Sequence, residues 1–296
     1  MSDHDEVLAA LRDGCRVAGG SGPGLVARPT RSGHLDGIDK DAARKLLSAA
    51  VDRLSALQEL LYADRRWSLL VVLQAMDAGG KDGTVKHVFS GVNPQGLSVV
   101  SFKAPEPAEL AHDFLWRIHR ALPARGMIGL FNRSHYEEVV VARVHPELIE
   151  KQRLPPTLTV VPDIWDSRLR DIAAFEAYLT RQGTRIVKIF LHIGADEQKL
   201  RLRARLEEPG KLWKFDPGDI EERARWADYM AAYEQAIAAT STADAPWYVV
   251  PADQKWFARL LVADIVVAQL EALHLQPPEP SREQLDRLAK ARKALA

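Results

Sequence analysis

Residues 77–84 read Asp-Ala-Gly-Gly-Lys-Asp-Gly-Thr, and they follow a continuous apolar run at residues 69–73. A run this short, made only of Leu and Val, is typical of a strand buried on both faces. A buried strand, then glycines, then a lysine at the start of a helix is an arrangement that holds phosphate groups. The stretch therefore predicts an α/β fold with a phosphate-binding loop, and it indicates phosphoryl transfer.

This loop departs from the Walker A pattern G-x-x-x-x-G-K-[ST] at two positions. Ala75 stands at the first glycine position, and Asp82 stands at the Ser/Thr position. The remaining features still favour an anion, because Gly79 and Gly80 let backbone N–H groups approach it and Lys81 adds a charge at the positive end of the helix. The loop is therefore a variant of the Walker A pattern.

Two carboxylates flank the glycines and the lysine. Asp77 and Asp82 would repel a bare polyphosphate, so they indicate a hard divalent cation such as Mg²⁺ between the carboxylates and the phosphate oxygens. One of the two could instead orient an attacking phosphate. A structural alternative is that Asp77 caps the helix and that Asp82 stabilises its first turn.

A second polar cluster, Asn-Arg-Ser-His-Tyr-Glu-Glu at residues 132–138, follows another apolar run. Ligands of open α/β sheets collect at the ends of such strands. The permanently charged Arg133 suits the negative charge of a transferring phosphoryl group, and Asn132 could bind a water of a metal shell. The alternative is that Arg133 forms an ion pair with Glu137 or Glu138, and both could hold in different ligand states.

Length and composition exclude several classes of protein. The chain has 296 residues, 40 Lys and Arg against 40 Asp and Glu, and one cysteine, Cys15. The neutral balance gives no argument for a nucleic-acid partner, so any polyanion site has to be local. A lone cysteine excludes a disulfide framework within the chain. Without a signal-like or membrane-spanning run, we expect a cytoplasmic protein with no membrane contact.

Apolar runs and helical periodicity alternate along the chain, which predicts a parallel sheet between two helical layers. We expect an N-terminal arm at residues 1–38, one main domain at residues 39–275 and an amphipathic tail at residues 276–296. The arm would lie on the surface or on a neighbouring subunit, or it would be a flexible leader segment. The five predicted strands are residues 68–73, 97–102, 127–131, 184–193 and 246–250, and the main predicted helices are residues 39–62, 81–92, 108–121 and 167–182.

A basic segment follows the fourth predicted strand. Between residues 199 and 214 it has six basic side chains against two acidic ones, a local charge of about plus four. A helical lid at about residues 196–226 that closes over phosphates would need this excess, and Pro209 and Gly210 could form its hinge. The alternative is a solvated helix face. The basic residues are Lys199, Arg201, Arg203, Arg205, Lys211 and Lys214.

Two further basic residues follow the second predicted strand, where such folds place the acceptor. Lys103 and Arg117 could contact a nucleotide phosphate, and ordinary exposed helix charges are the alternative. No spacing of the nine histidines indicates a zinc site.

Taken together, residues 75–84, 102–105, 113–117, 131–138 and 211–215 resemble the polyphosphate kinase 2 family, and the likeness extends over about residues 62–268. The resemblance implies a three-layer P-loop kinase fold with a five-stranded parallel sheet and a helical lid. It implies reversible phosphoryl transfer between inorganic polyphosphate and nucleotides (AMP, ADP, ATP), with Mg²⁺ or with Mn²⁺ in its place. It also implies a homodimer or a homotetramer.

The resemblance also assigns roles to residues. The catalytic residues would be Asp77, Lys81, Asp82 and Arg133, with Asp77 and Asp82 also serving the metal. Phosphate and polyphosphate would be bound by Gly79, Gly80, Lys81, Gly83, Thr84, Lys86, Arg133, Arg201, Arg205, Lys211 and Lys214. The nucleotide would be bound by Asp82, Lys103, Arg117, Asn132 and Glu137. The motif with Asn132 resembles the branch of the family that accepts nucleoside monophosphates.

Two other functions use the same features. An ATP-dependent nucleotide or small-molecule kinase would share the fold, but the altered Walker A loop argues against an ATP donor. A non-catalytic sensor of polyphosphate or nucleotide would also bind anions. The two acids beside Lys81 argue against a sensor, because binding an anion does not call for paired carboxylates.

Overall fold

The computed structural model describes residues 3–32, 38–159 and 163–295. At its centre is a five-stranded sheet in which every strand pair is parallel. The strands are β1 (Ser68–Gln74), β2 (Leu97–Ser101), β3 (Ile128–Asn132), β4 (Thr184–His192) and β5 (Trp247–Pro251), in the order β2-β3-β1-β4-β5. The predicted α/β fold with five parallel strands is confirmed.

Helices cover both faces of this sheet, and every residue of β1 is therefore buried. The longer helices are α1 (Asp3–Cys15), α2 (Lys40–Asp64), α3 (Lys81–Val88), α8 (Asp163–Arg181), α9 (Ala195–Glu207), α10 (Gly218–Ala224), α11 (Trp226–Thr240), α12 (Lys255–Glu271) and α13 (Arg282–Leu295). Four short ones are α4 (Pro107–Leu110), α5 (Trp116–Arg120), α6 (Val141–Val144) and α7 (Glu147–Glu150). Helix α12 packs on α1, α2 and α3, whereas α8 packs on α11.

The register of the central strands determines where the polar clusters meet. Leu69 of β1 pairs with Ile128 of β3, and Leu73 pairs with Asn132. Both strands are parallel, so their carboxyl ends lie at the same edge of the sheet. The loop after β1 and the cluster after β3 are therefore neighbours.

One predicted helix is broken. The sequence predicted a continuous helix at residues 108–121, but α4 and α5 are separate, with a turn between them. The Asp113 carboxylate accepts a hydrogen bond from the N–H of Leu115 at 3.0 Å. Asp side chains compete for backbone donors in this way and favour turns over helix interiors.

The described part of the predicted N-terminal arm packs on the main domain. Arg12 of α1 forms a 2.8 Å ion pair with Asp264 of α12. The N–H of Val17 donates to the carbonyl of Trp247 at 2.9 Å, and Leu25 is 1% exposed. Residues 1–2 and 33–37 of the predicted arm, and residue 296 of the predicted tail, lie outside the described ranges.

Helix α13 forms most of the predicted tail. It has no buried residue, and its three leucines are at least half exposed. Within the described ranges, no helix combines the length and the apolar character that crossing a lipid bilayer requires.

Candidate active site

The loop after β1 contains left-handed backbone conformations, which few residue types adopt readily. Gly80 has φ +105° and Ala78 has φ +58°, both in the left-handed region. A Cβ on Gly79 would lie 2.6 Å from the Cβ of Ala75 and 2.8 Å from the carbonyl oxygen of Met76. Gly80 is therefore required by its backbone conformation, and Gly79 is required because a side chain would clash with its neighbours.

Lys81 begins helix α3 and is buried. Its Nζ donates to the carbonyl oxygen of Ala75 at 2.7 Å, so the ammonium is held against the loop. Burial and the charge of Arg133 together lower the pKa of Lys81 to about 8, against the opposing effect of nearby carboxylates that include Asp77. Lys81 is still mostly protonated at neutral pH.

Arg133 joins the two clusters. Its Nη1 donates to Glu137 at 3.0 Å and its Nη2 donates to Asp77 at 2.8 Å. The backbone of Arg133 has φ +64°, a strained conformation for a residue with a side chain. The ion pair with Glu137 was the structural alternative for Arg133, and the structure places the same guanidinium beside the phosphate-binding loop.

Asp82 and Asn132 form the second link between the clusters, with Asn132 Nδ2 donating to Asp82 Oδ1 at 2.8 Å. Asp77 does not cap helix α3, because the N-cap is Gly80 and makes no side-chain cap bond. The second carboxylate oxygens of Asp77 and Asp82 make no hydrogen bond to any described residue.

These two oxygens fit a Mg²⁺ site. Mg²⁺ in phosphoryl-transfer sites takes one or two carboxylates and completes its shell with water and substrate phosphates. In the described part of the chain no three His, Cys, Asp or Glu side chains cluster in a way that could hold a metal without substrate. The donor set therefore suits an ion that binds together with a phosphate chain.

A cavity of about 600 Å³ extends from the loop. Among the predicted site residues, it is lined by Asp77, Gly79, Gly80, Lys81, Asp82, Gly83, Thr84, Lys103, Asn132, Arg133, Arg201, Arg205, Lys211 and Lys214. Nine lysines and arginines line it against three aspartates. Such an excess of one charge in a cleft favours a polyanion.

Three predicted site residues do not line this cavity: Lys86, Arg117 and Glu137. Lys86 is exposed on α3. Arg117 is buried, donates to the Lys103 carbonyl at 2.8 Å and lines an adjoining cavity of about 370 Å³. Arg117 is thus not an ordinary exposed helix charge. Its role toward a nucleotide stays a prediction, as do those of Lys86 and Glu137.

Two basic residues that line the main cavity were not predicted from the sequence. Lys255 and Arg259 lie on the first turns of α12, and Arg259 Nη2 is 3.2 Å from the position that a Cβ on Gly83 would take. Burial lowers the pKa of both, and the positive charge of Arg201 lowers it further, so the cations lie close together. No motif surrounds them, and their position depends on how α12 packs.

A buried polar network supports the cluster after β3. Lys188 of β4 donates to the carboxylate of Glu176 of α8. It also donates to the carbonyl of Thr240, at 2.7 Å. The Tyr136 hydroxyl donates to Glu176 at 2.8 Å. Burial alone would raise the pKa of Glu176, but the charge of Lys188 lowers it, and the net shift is downward. This ion pair fixes the residues that follow Arg133.

Known proteins resemble the chain over most of its length. The family model for polyphosphate kinase 2 matches residues 37–278. The ADP-polyphosphate phosphotransferase of Rhodopseudomonas palustris is 49% identical over 256 residues, which are 86% of this chain and 89% of that protein. The AMP/ADP-polyphosphate phosphotransferase of Meiothermus ruber is 50% identical over 241 residues, which are 81% of this chain and 86% of that protein.

The fold agrees with a solved structure. The crystal structure of polyphosphate kinase 2 from Arthrobacter aurescens has a TM-score of 0.83 and 41% sequence identity to this chain, and the match covers 97% of each chain. The matched family model spans the phosphate-binding loop, the cluster after β3 and the basic segment after β4. The chain therefore belongs to the polyphosphate kinase 2 family.

Proposed function

We propose that the chain is a polyphosphate-dependent nucleotide kinase, which transfers the terminal phosphoryl group of inorganic polyphosphate reversibly to AMP or ADP. The observation that carries this proposal is the pairing of Asp77 and Asp82 with Lys81 and Arg133 at the edge of a strongly basic cavity. Two relatives with about half of their aligned residues identical carry the names ADP- and AMP/ADP-polyphosphate phosphotransferase.

The donor chain suits the basic part of the cavity. Arg205, Lys211 and Lys214 line it from the segment after β4, and Lys255 and Arg259 line it from α12. Polyphosphate carries a negative charge on every unit, so a row of cations holds it without recognising a base or a sugar. The acceptor nucleotide would enter on the side of Lys103 and Asn132.

The reaction needs no covalent enzyme intermediate. An oxygen of the acceptor phosphate attacks the terminal phosphorus of polyphosphate in line, so a new P–O bond forms while the bond to the bridging oxygen breaks. The shortened polyphosphate leaves with the electron pair of that bond. Lys81, Arg133 and the N-terminus of α3 position the phosphates and stabilise the charge that develops on their oxygens.

Asp77 and Asp82 would hold Mg²⁺, with Mn²⁺ as a substitute. Their second carboxylate oxygens are the atoms that fit the ion. When bound, the ion would neutralise charge on the phosphate oxygens. Asn132 orients Asp82, and Arg133 orients Asp77.

One assay tests this function. Purified protein is incubated with polyphosphate, Mg²⁺ and either AMP or ADP, and the nucleotides are separated by chromatography. We expect ADP from AMP or ATP from ADP, and we expect no product when polyphosphate is omitted. Turnover with ATP as the donor but not with polyphosphate would contradict the proposal in favour of an ATP-dependent kinase. Binding of polyphosphate without any turnover would favour a sensor.

We also propose that the protein is a cytoplasmic homodimer or homotetramer. The oligomer rests on the family resemblance, and the location rests on the single cysteine, which suits a reducing compartment. Light scattering on the purified chain measures the oligomer. A monomer at micromolar concentration would contradict this part of the proposal.

A further inference from the structure

Two side chains of helix α9 hold the start of the phosphate-binding loop. Gln198 Nε2 donates to the carbonyl oxygen of Asp77 at 3.0 Å, and Arg201 Nη1 donates to the carbonyl oxygen of Ala78 at 3.1 Å. The two residues are three positions apart on the helix, so they lie on the same face. They are 1% and 8% exposed. We call this pair the α9 clamp.

Arg201 is largely committed to protein groups. Besides Ala78, it donates to the carbonyls of Ala252 at 2.7 Å and Asp253 at 2.9 Å, and to the Glu197 carboxylate at 2.8 Å. A guanidinium has five N–H donors, and these contacts use four. Arg201 therefore has one donor left for a phosphate. Its two terminal nitrogens join the loop after β1 to the segment after β5.

The carbonyls that the clamp holds belong to the two peptides that flank one strained residue, Ala78. Ala78 has φ +58°, a left-handed conformation that residues with a Cβ rarely adopt. A trans peptide places its C=O and N–H on opposite sides. With the carbonyls of Asp77 and Ala78 turned toward α9, the N–H groups of the same peptides point away from α9, and the N–H of Gly79 donates to the carbonyl of Met76 at 3.0 Å.

The clamp is also connected to helix α10. Arg223 of α10 donates to Gln198 Oε1 at 2.9 Å and to the carbonyl of Ala195 at 2.6 Å. The side-chain amide of Gln198 thus accepts a hydrogen bond from α10 through its oxygen and donates one to the carbonyl of Asp77 through its nitrogen. Helix α10 and the phosphate-binding loop are linked through a single buried side chain.

We propose that Gln198 and Arg201 are positioning residues, which keep Ala78 left-handed and so keep the loop in its phosphate-receiving conformation. This inference deepens the function proposed above and rests on it. It differs from the role that the sequence suggested for Arg201, which was direct binding of polyphosphate. The two roles predict different kinetics.

The first test is Arg201→Lys, which keeps the charge and removes the fork. Arg203→Lys is the matched control, because Arg203 lies on the same helix with its side chain 64% exposed. A positioning role predicts that kcat falls at least about tenfold while KM for polyphosphate changes less than about threefold. Direct phosphate binding predicts the reverse, a raised KM with kcat nearly intact, and that result would overturn the proposal.

The second test is rescue by glycine at position 78. Glycine populates positive φ about as readily as negative φ, so Ala78→Gly removes the need to enforce that conformation. We expect Ala78→Gly to raise the kcat of the Arg201→Lys protein at least about threefold and not to raise that of the wild type. No recovery in the double variant would contradict the proposal.

The third test does not depend on the reaction. Hydrogen–deuterium exchange of peptides that cover residues 76–84 should be faster in Arg201→Lys and in Gln198→Leu than in wild type, and unchanged in Arg203→Lys. Thermal unfolding shows that each variant is folded. If the wild type has no activity with polyphosphate, the proposed function fails, but the exchange still decides whether the clamp holds the loop. Equal exchange in all four proteins would overturn the clamp.

Discussion

Arg133 Nη2 donates to Asp77 Oδ1 over 2.8 Å, so one guanidinium joins the end of β3 to the loop that follows β1. The same side chain reaches Glu137 through its other terminal nitrogen. These two carboxylates fix the orientation of the guanidinium at the edge of the cavity. It therefore needs little reorganisation to bind a phosphate.

Replacing Arg133 by lysine tests this geometry. Lysine keeps the charge but loses the planar fork, so it cannot bind Asp77 and Glu137 as the guanidinium does. We expect kcat to fall by roughly 10²-fold or more, with normal folding. The measurement is steady-state turnover with polyphosphate together with a thermal unfolding curve. A rate within about threefold of the wild type would show that charge alone is enough.

Asp82→Asn tests the metal side of the site. The change removes one charge from an exposed side chain and keeps its size, so stability should change by less than about 0.5 kcal/mol. Turnover should fall by roughly two orders of magnitude or more because the cation loses a ligand. Titration of activity with Mg²⁺ should also require more of the ion. Near-normal turnover at the usual Mg²⁺ concentration would remove Asp82 from the metal site.

Lys81 should give the enzyme a pH limit on the alkaline side. A lysine is charged below its pKa, and burial lowers the pKa of Lys81 to about 8. The ratio kcat/KM for polyphosphate reports the free enzyme, so it should fall as the pH rises through about 8. Bound phosphate favours the ammonium, and the fall in kcat should therefore come at higher pH.

The matched variant for this profile is Lys81→Arg, since a guanidinium does not titrate in this range. Whatever its absolute rate, its kcat/KM should not fall around pH 8. A wild-type profile that stays flat between about pH 7 and pH 10 would contradict the assignment to Lys81.

Lys255→Ala and Arg259→Ala test the two cavity cations that no motif indicated. Each removes a cation from the wall of the cavity, so KM for polyphosphate should rise about tenfold while kcat changes little. Lys45→Ala, an exposed lysine of α2, is the control for a lost charge at a distance. Rising salt should weaken polyphosphate binding most in the wild type. If KM for polyphosphate is the same in both variants as in the wild type, α12 is not part of the polyphosphate-binding site.

Lys188→Met tests the buried network below the site. It leaves the Glu176 carboxylate buried without its cation, which should destabilise the protein by roughly 3–5 kcal/mol. Urea unfolding measures the change. The double variant Lys188→Met with Glu176→Leu should recover part of that loss, because no lone charge then remains in the core. Equal stability of the wild type and the single variant would show that the ion pair does not stabilise the fold.

Much of the site follows from local sequence. Residues 69–73 of β1 are all apolar, and Gly79, Gly80 and Lys81 follow them, so strand, loop and helix are determined within about fifteen residues. The residue types alone predicted a cation at Asp77 and Asp82 and a phosphoryl contact at Arg133, and the family resemblance added that these residues are catalytic. The break near Asp113 was missed because a side chain that bonds to the backbone two residues on outweighs helical periodicity.

By itself, the sequence determined the five-stranded parallel sheet and the two polar clusters, because apolar periodicity and glycine placement act over short distances along the chain. Only the tertiary structure decided which distant groups meet them. Parallel register brought Asn132 to Asp82, the packing of α12 brought Lys255 and Arg259 to the cavity, and α9 placed Arg201 on the carbonyl of Ala78. Such contacts depend on how whole helices pack on the sheet, and no local pattern encodes that packing.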